Sequence, residues 1–262
     1  MMIPTIICLF LCFLLYFYWQ NVTFTVTHYV YQSEAIPDSM DGLRIAQVSD
    51  LHNTRYGRGN RDLLHALREA APDAIMVTGD IIDSTFTNTA IALEFLKQAV
   101  QIAPVYYCTG NHEHRLSDTE LQEFLEDIRK TGVTVLDNKA VPFREATLVG
   151  VCDRNADDGT TEALLNAVQT DFVILLAHKP HYFEHYALAD LTLSGHAHGG
   201  QIRLPLLGGL FAPGQGALPN YTEGFYTKEN ATMLVSRGLG NSHRIPRLFN
   251  RAELVILELK AK

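Results

Sequence analysis

The stretch LTLSGHAHGG, residues 191–200, determines how this sequence is interpreted. A short apolar run ends at Ser194 and Gly195, and His196 and His198 follow in a turn flanked by glycines. Glycine permits positive φ angles and allows a ligand to approach the backbone closely. The pattern His-x-His alone is a weak motif. It predicts two imidazoles leaving one strand end, and the preceding residues decide whether they bind metal.

Four earlier apolar runs end in side chains that bind metals or transfer protons. These side chains are Asp50, His52, Asp80, Asn111, His112 and His178. Each one alone is more often a turn or cap residue, but five such strand ends in succession are difficult to explain as caps. Ligand sites of α/β sheets gather at the carboxyl ends of strands. Because residues i and i+2 of an extended chain point to one side, we expect Asp50 and His52 to be able to share one ion.

Composition limits the class of protein. The chain has 262 residues, of which 47% are hydrophobic and 19% charged, and its net charge is −8. This length suits one good-sized domain or two small ones. The acidic balance argues against coating nucleic acid, since phosphate binding needs clustered Lys and Arg. The four cysteines show no CxxC spacing and predict no disulfide framework.

The N-terminal segment is apolar. Residues 3–19 contain no charge and end in Tyr16, Tyr18 and Trp19, which are typical of a membrane interface. We interpret residues 1–20 as a membrane anchor or signal anchor (one transmembrane helix), and a cleaved signal peptide is the alternative. The absence of a basic n-region and of a small-x-small site favours the anchor. A cytoplasmic N-terminus would place the domain, residues 22–262, on the outer face of the membrane, although few charged residues flank the segment to determine its orientation.

Strand and helix patterns alternate through much of the chain. Residues 22–30 alternate between polar and apolar side chains, which indicates a half-buried strand. Helical patterns follow at residues 89–100, over LQEFLEDIRK and near residues 162–168, and Ser117-x-x-Glu120 forms a capping box. The pattern in the last part of the chain is typical of β-hairpins. Together these patterns predict an α/β sandwich with mixed sheets.

The five strand-end blocks resemble a known family. They are DLH (50–52), GDIID (79–83), GNHE (110–113), a lone His178 and GHAH (195–198). Present in this order, they resemble the calcineurin-like metallophosphoesterase superfamily. The resemblance implies a four-layer α/β/β/α sandwich of two mixed sheets flanked by helices, the metallo-dependent phosphatase fold, holding two divalent metal ions.

The resemblance also implies the role of each residue. One metal would take Asp50, His52, Asp80 and His198, and the other would take Asp80, Asn111, His178 and His196. Asp80 would bridge, since a carboxylate has two oxygens. His112 is not a ligand in the family and would protonate the leaving alkoxide. Asp83 or Glu113 would orient His112 or a ligand, or would only cap a loop.

The residue chemistry agrees with a phosphate substrate. Oxygen and imidazole ligands suit Mn, Fe or Zn. Two carboxylates facing two divalent cations leave a site charge of about +2, which attracts a phosphate anion. Two metals roughly 3.5 to 4 Å apart would lower the pKa of a shared water, so that metal hydroxide attacks phosphorus in line.

Downstream segments resemble a narrower group, the small membrane-associated bacterial metallophosphoesterases. These segments are GGQIRLP (199–205) and SRGLG (236–240). Arg203 and Arg237 are candidates for bidentate binding of substrate phosphate, with a structural salt bridge as the alternative. The apolar segment 204–219 is unlike a helix or strand. It either enters the membrane interface beside the anchor or covers the core.

The predicted function is that of a membrane-anchored dinuclear metal hydrolase. We expect a phosphodiesterase or pyrophosphatase acting on a lipid-linked or membrane-proximal substrate, such as a phospholipid headgroup or UDP-diacylglucosamine. Only 66 residues separate His112 from His178, which leaves little room for a cap domain. The alternatives are a phosphomonoesterase or nucleotidase on soluble substrates, a mononuclear hydrolase, and a non-catalytic metal-organised docking protein. A basic cluster of His243, Arg244, Arg247 and Arg251 faces either anionic headgroups or solvent.

Overall fold

The computed structural model of the chain describes residues 2–241 and 246–262, so His243 and Arg244 of the predicted basic cluster lie outside the described residues. The helices are α1 (Met2–Val22), α2 (Arg61–Ala70), α3 (Thr89–Ala99), α4 (Asp118–Lys130) and α5 (Thr160–Asn166). The strands are β1 (Phe24–Ser33), β2 (Arg44–Val48), β3 (Ala74–Thr78), β4 (Val105–Cys108), β5 (Thr134–Val135), β6 (Lys139–Phe143), β7 (Ala146–Gly150), β8 (Val173–Leu176), β9 (Leu191–Ser194), β10 (Arg203–Leu204), β11 (Gly208–Gly209), β12 (Phe211–Ala212), β13 (Gly216–Ala217), β14 (Gly224–Lys228), β15 (Ala231–Val235) and β16 (Ala252–Ala261).

The first sheet has six strands in the order β1-β16-β2-β3-β4-β5. Strands β2 to β5 are parallel to one another, whereas β16 runs antiparallel to β2 and parallel to β1. The helices α2, α3 and α4 cover its outer face, because their apolar side chains, such as Leu63, Phe95 and Phe124, lie on one side of each helix and join the buried cluster there. The predicted capping box of Ser117 and Glu120 begins α4.

The second sheet also has six strands, in the order β14-β15-β9-β8-β7-β6. Its four inner strands are parallel, and the two edge strands are antiparallel to their neighbours. The helix α5 and a 3-10 helix at Pro180–Tyr186 cover the outer face through Leu165, Phe183 and Tyr186.

The two sheets pack face to face over an apolar core. Side chains from both contribute to it, among them Ile45, Met76, Ile174, Leu193 and Leu257. Because both faces of each sheet are covered, the inner strands are almost continuously hydrophobic. The order of layers is helices, sheet, sheet, helices, and the predicted four-layer α/β/β/α sandwich is confirmed.

The sheets meet most closely at the edge where β2 and β9 end. The amide nitrogen Nε2 of Gln47 donates to the carbonyl of Ser194 at 2.9 Å, which joins one sheet to the other. A Cβ atom added to Gly195 would lie 1.8 Å from the Ser49 hydroxyl and 2.4 Å from a carboxylate oxygen of Asp50. Glycine is therefore needed at residue 195 for close approach.

The helix α1 extends away from the domain. Residues 4–22 are long and apolar enough to cross a membrane, and only 6% of that span is buried inside the structure. Its last turn is different, because Gln20 is fully buried and its Nε2 donates to the carbonyl of Arg247 at 2.8 Å. Asn21 also donates to that carbonyl, and its Oδ1 accepts from the backbone N–H of Arg247.

Two predictions about the late part of the chain are wrong. The apolar segment 204–219 contains strand pairs, since β10 pairs with β11 and β12 with β13 in two short antiparallel hairpins. Arg247 faces neither headgroups nor solvent, because it is only 2% exposed. Strands of two residues are too short to produce a period-two pattern, which explains why the sequence pattern did not predict the hairpins.

Candidate metal centre

The strand-end residues share an unusual backbone. Asp50, His52, Asp80, His196 and His198 have φ between 46° and 64°, in the left-handed region. Non-glycine residues adopt this conformation at an energetic cost, and such residues cluster at functional sites. The chain turns sharply as it leaves β2, β3 and β9, and these side chains meet at one edge of the sandwich.

Three of the predicted ligands form a first group, called here the Asp50 group: Asp50, His52 and His198. The Nε2 atoms of His52 and His198 lie 3.8 and 3.5 Å from Oδ1 of Asp50. The two imidazoles stack with their centroids 5.1 Å apart. Ser49 donates its hydroxyl to Oδ2 of Asp50 at 2.6 Å, which leaves Oδ1 facing the imidazoles.

Three others form a second group, called the Asp80 group: Asp80, His178 and His196. Nε2 of His178 lies 3.2 Å from Oδ2 of Asp80 and 3.2 Å from Nδ1 of His196. Nδ1 of His178 donates to the carbonyl of Thr78 at 2.7 Å. This hydrogen bond directs the Nε2 atom, the one available to a metal, into the group.

Asp80 lies between the two groups. Its Oδ2 is 3.6 Å from Nε2 of His52 in the Asp50 group, besides its contact with His178. Its Oδ1 accepts the backbone N–H of His112 at 2.8 Å. One carboxylate thus borders both sets of imidazoles, which is the position that a bridging ligand needs.

The described residues fit a pair of divalent cations. Oδ1 of Asn111 and both ring nitrogens of His52 are buried without a hydrogen-bond partner. Buried polar atoms are rarely left unpaired, and here each belongs to a residue type that binds metal. The oxygen and imidazole donors suit Mn, Fe or Zn. The residues that would hold the metals are the two groups together with Asn111, and this ligand assignment stays a prediction.

Burial and mutual contact set the protonation of the groups. Burial lowers the pKa of His196 far below its ordinary value and that of His198 to about 3, so both rings are neutral, the form in which imidazole binds a cation. Burial opposes the charge on Asp80, but the neighbouring His178 outweighs it and holds the pKa of Asp80 well below its usual range. For His178, burial is likewise outweighed by Asp80, and its pKa rises to about 10.

His112 stands beside both groups. Its ring is perpendicular to that of His52 at 4.5 Å, and its Nε2 lies 4.0 Å from Oδ2 of Asp80. Nδ1 accepts the backbone N–H of Ser84 at 3.0 Å, which directs Nε2 towards Asp80. Burial is the main reason that the pKa of His112 falls to about 4.

Glu113 holds the loops that carry Asp80 and Asn111. Its carboxylate is fully buried and accepts the backbone N–H groups of Asp80, Ile81 and Gly110 at 2.7 to 2.9 Å. Burial raises its pKa to about 7, although these N–H groups favour its ionised form. Asp83 instead accepts the N–H of Thr85 and lies 3.8 Å from Nδ1 of His112. Of the two acids considered from the sequence, Glu113 is the one that shapes the site.

Arg247 and Asn250 support the turn after β9, and the sequence did not reveal this. The guanidinium of Arg247 donates to the carbonyls of Arg237, Gly238 and Gly240 at 2.7 to 3.2 Å and lies 3.4 Å from Nδ1 of His198. Asn250 donates to the carbonyl of His198 at 2.7 Å. In the sequence, Arg247 is one arginine of a basic cluster. Such a cluster does not show whether a guanidinium is buried or exposed.

The two predicted substrate-binding arginines are paired with acids. Arg203 contacts Oε1 of Glu223 at 2.5 Å, and Arg237 contacts Oε2 of the same residue at 3.2 Å. Arg237 also contacts Oε1 of the buried Glu253 at 3.2 Å. The structure therefore places both in a salt-bridge network, and their role in binding phosphate stays a prediction.

Arg115 is an exposed guanidinium that the sequence did not single out. Its Nη1 lies 3.2 Å from Nε2 of His112 and 3.4 Å from the hydroxyl of Ser84. No carboxylate among the described residues forms an ion pair with it. The guanidinium therefore adjoins the ring of His112.

A separate group of His114, Asp137 and Cys152 also has metal-ligand types. Nε2 of His114 lies 2.8 Å from the hydroxyl of Thr109, which donates to Asp137, whereas Nδ1 of His114 is buried without a hydrogen-bond partner. Sγ of Cys152 lies 3.1 Å from the same Nε2.

Comparison with known proteins gives a consistent result. A family model described as calcineurin-like phosphoesterase matches residues 43–200, which is more than half of the chain. This range includes the two groups, Asn111 and His112.

Three similar proteins extend the comparison. The chain is 30% identical over 251 residues to the uncharacterized metallophosphoesterase YkuE of Bacillus subtilis, covering 90% of this chain and 85% of that protein. It is 31% identical over 232 residues to the phosphodiesterase YaeI of Escherichia coli, with coverages of 85% and 84%. It is 30% identical over 250 residues to a transmembrane protein with metallophosphoesterase domain of Danio rerio. The matched region covers 87% of this chain but only 55% of that protein.

Proposed function

Because this chain belongs to the calcineurin-like phosphoesterase family and is a metal-dependent phosphoesterase, we propose that it hydrolyses a lipid-linked or membrane-proximal phosphodiester or pyrophosphate with two metal ions. Members of the family bind a dinuclear metal centre. Since the chain is an enzyme, a non-catalytic docking protein is disfavoured.

The position of Asp80 carries the two-metal part of the proposal. Its Oδ2 lies 3.6 Å from Nε2 of His52 in the Asp50 group and 3.2 Å from Nε2 of His178, so one carboxylate oxygen contacts imidazoles of both groups. With the unpaired Oδ1 of Asn111, these residues would supply four donors to each of two cations if Asp80 is shared. A pair of divalent cations lowers the pKa of a water molecule and neutralises charge on the phosphate.

The chain's own residues would position the substrate and move a proton. We assign His112 as the general acid, since its Nε2 faces the centre beside Asp80; its imidazolium form would give the Nε2 proton to the leaving oxygen and return to the neutral ring. A general acid of this kind contributes about 10²- to 10⁴-fold to the rate. Arg115 would bind a phosphate oxygen, because its guanidinium lies next to His112 without a carboxylate partner among the described residues.

Membrane anchoring is supported by α1 and by the Danio rerio relative, which is named a transmembrane protein. We propose that the helix is retained in the mature protein, with the domain on the outer face. The supporting observation is that Gln20 and Asn21 hold the backbone of Arg247, and cleavage would remove these hydrogen bonds. Mass spectrometry of the protein from membranes tests this, and a mature chain beginning near Thr23 would contradict it.

The substrate class is supported by two observations. YaeI is named a phosphodiesterase, which favours a diester over a monoester. Between His112 and His178 the elements α4, α5 and β5 to β8 all belong to the sandwich, so no cap domain encloses the centre on that segment. An open centre close to α1 suits a headgroup presented from a membrane.

Purified full-length protein in detergent, loaded with Mn²⁺, should hydrolyse bis-p-nitrophenyl phosphate and contain two ions per chain. The variant His112→Asn should keep both ions while turnover falls by about 10²- to 10⁴-fold. His65→Asn, at an exposed histidine of α2, is the matched control and should change neither. Absence of activity with Mn²⁺, Fe²⁺ and Zn²⁺ alike would overturn the proposal.

The substrate class needs its own comparison. Turnover should be higher for a phospholipid diester in mixed micelles than for p-nitrophenyl phosphate or a nucleoside monophosphate. Higher turnover with the soluble monoesters would favour the phosphomonoesterase or nucleotidase alternative.

A further inference from the structure

We propose that the two hairpins and Phe249 form a second contact with the lipid bilayer, beside α1, and hold the mouth of the metal centre against the membrane surface. The contact, called here the hairpin face, consists of Leu206, Leu207, Phe211, Leu218 and Phe249. The inference rests on the proposed function in one respect, since it explains how a lipid-linked substrate reaches the centre.

Large apolar side chains are exposed on this face. Leu206 is as accessible as in an extended peptide, with 107% exposure, and Leu207, Leu218 and Phe249 are 62%, 64% and 51% exposed. Contiguous apolar patches on soluble surfaces are small, and larger ones mark contacts with partners or membranes. The whole segment 204–219 contains no charged residue.

The backbone conformation at two of these leucines is a further argument for a contact outside the domain. Leu206 and Leu218 have φ of 71° and 51°, in the left-handed region that glycine and asparagine occupy most easily in turns. A leucine at such a position is strained in the folded chain and gains nothing from burial there. Its presence is explained if the side chain is removed from water by something outside the domain.

The hairpin face is continuous with α1. The ring of Phe249 lies 5.9 Å from that of Tyr16, which is one turn, or about 6 Å, farther from the domain than Gln20. Phe249 also lines a cavity of about 320 Å³ with Arg203, Leu204 and Pro205 at the base of the first hairpin. If α1 enters a bilayer, Phe249 and this hairpin lie at the depth of its interface.

The same hairpins border the metal centre. A Cβ atom added to Gly200, which follows the His196–His198 turn, would lie 2.3 Å from Cα of Gly209 in β11. Gly214, in the turn between β12 and β13, packs equally closely on His181, whose ring lies 5.8 Å from that of His196. A surface that holds the hairpins therefore also fixes the distance between the metal centre and the lipid.

A lipid bilayer fits this face better than a protein partner. The first hairpin is apolar at its tip, Leu206 and Leu207, and has arginine at its base, where the Arg203 guanidinium is held by Glu223. This order, apolar side chains outward and charged ones behind, is that of an interfacial segment. The guanidinium of Arg251 lies over the ring of Trp19 in the adjoining helix α1, 4.2 Å from the ring centroid. On this proposal, α1 enters the bilayer from the same side as the hairpin face.

The test measures depth in the membrane and does not depend on catalysis. Full-length protein is reconstituted into vesicles of phosphatidylcholine and phosphatidylglycerol, with and without brominated acyl chains. Trp19 is the single native tryptophan, and its quenching serves as the internal standard. The emission added by Leu206→Trp should be quenched at least as strongly as that of Trp19. The matched control Leu188→Trp, at a 52% exposed leucine at the opposite edge, before β9, should add unquenched emission.

An unquenched Leu206→Trp, in a protein whose Trp19 is quenched, would overturn the inference and indicate a protein partner or free solvent instead. Wild-type protein that fails to hydrolyse bis-p-nitrophenyl phosphate would contradict the proposed function but leave the depth result intact.

A second measurement compares lipid and soluble substrates. The double variant Leu206→Asp and Leu207→Asp should lower turnover of phosphatidylglycerol in vesicles by about tenfold, with unchanged turnover of bis-p-nitrophenyl phosphate. Leu188→Asp should change neither. Equal losses on both substrates, or no loss on either, would contradict the inference.

Discussion

The Asp50 group and the Asp80 group use the same kinds of donor atom but are held in different ways. The Asp80 group is held from inside the sandwich, where Glu113 collects backbone N–H groups and Thr78 orients His178. The turn after β9 carries His196 of the Asp80 group and His198 of the Asp50 group, and Arg247 and Asn250 hold it at His198, at the domain surface that receives α1.

This difference separates a half that is supported by the core from a half that is supported at the junction with α1. Outer contacts of metal ligands position them and tune their affinity. Changes inside the sandwich should therefore weaken the Asp80 group first. Changes at the junction of α1 and Arg247 should weaken the Asp50 group first, since Gln20 and Asn21 bond to the backbone of Arg247.

The largest effect is expected at the residue that the halves share. Asp80→Asn removes a charge that faces both groups, so metal affinity and kcat/KM should fall by more than about 100-fold, beyond the loss typical of outer contacts. Metal content by mass spectrometry and turnover of bis-p-nitrophenyl phosphate measure it. His65→Asn is the control. Retention of two tightly bound ions would show that Asp80 does not bridge.

The next largest effect should follow Glu113→Gln. The amide offers one accepting oxygen where the carboxylate offers two, so the N–H groups of Asp80, Ile81 and Gly110 lose partners. Turnover should fall by about 10- to 100-fold. At limiting Mn²⁺ the variant should hold one ion per chain. Glu120→Gln, an exposed acid of α4, should behave like wild type, and equal loss of both ions would argue against separate support.

A smaller effect is expected for Arg247→Lys. An ammonium cannot make the planar, multiple contacts of a guanidinium, so carbonyls of Arg237, Gly238 and Gly240 lose donors. The free energy of unfolding should fall by about 1 to 3 kcal/mol. Chemical denaturation of the metal-loaded protein measures this. Arg68→Lys, at an exposed arginine of α2, is the control, and an equal fall in the free energy of unfolding there would contradict the assignment.

The smallest effect should come from Gln20→Leu, which keeps α1 apolar. The carbonyl of Arg247 loses one of its two side-chain donors, Asn21 being the other, which costs about 0.5 to 1.5 kcal/mol. The weaker of the two Mn²⁺ affinities, measured by titration calorimetry in detergent, should shift several-fold while the stronger stays constant. A shift of both by the same factor would show that the halves are not supported separately.

The sequence predicts the fold and the converging residues because both depend on local patterns. Each of β2, β3, β4, β8 and β9 is an apolar run, and parallel strands bring their carboxyl ends to one edge. The five blocks therefore predict which side chains meet, and the structure brings Asp50, His52 and His198 together.

The supporting contacts were not predictable in the same way. Glu113 bonds to backbone groups more than 30 residues earlier, and Arg247 bonds to carbonyls that converge only after folding. A backbone N–H or carbonyl has no residue type, so no motif records it. A buried arginine and an exposed one have the same letter, which is why the basic cluster was misread.

Anomalous X-ray scattering from crystals of the Mn²⁺-loaded protein tests the two-metal centre most directly. Two separate peaks are expected, one beside Asp50, His52 and His198 and the other beside His178, His196 and Asn111, with Asp80 between them. A single peak, or a second one outside these residues, would contradict the account.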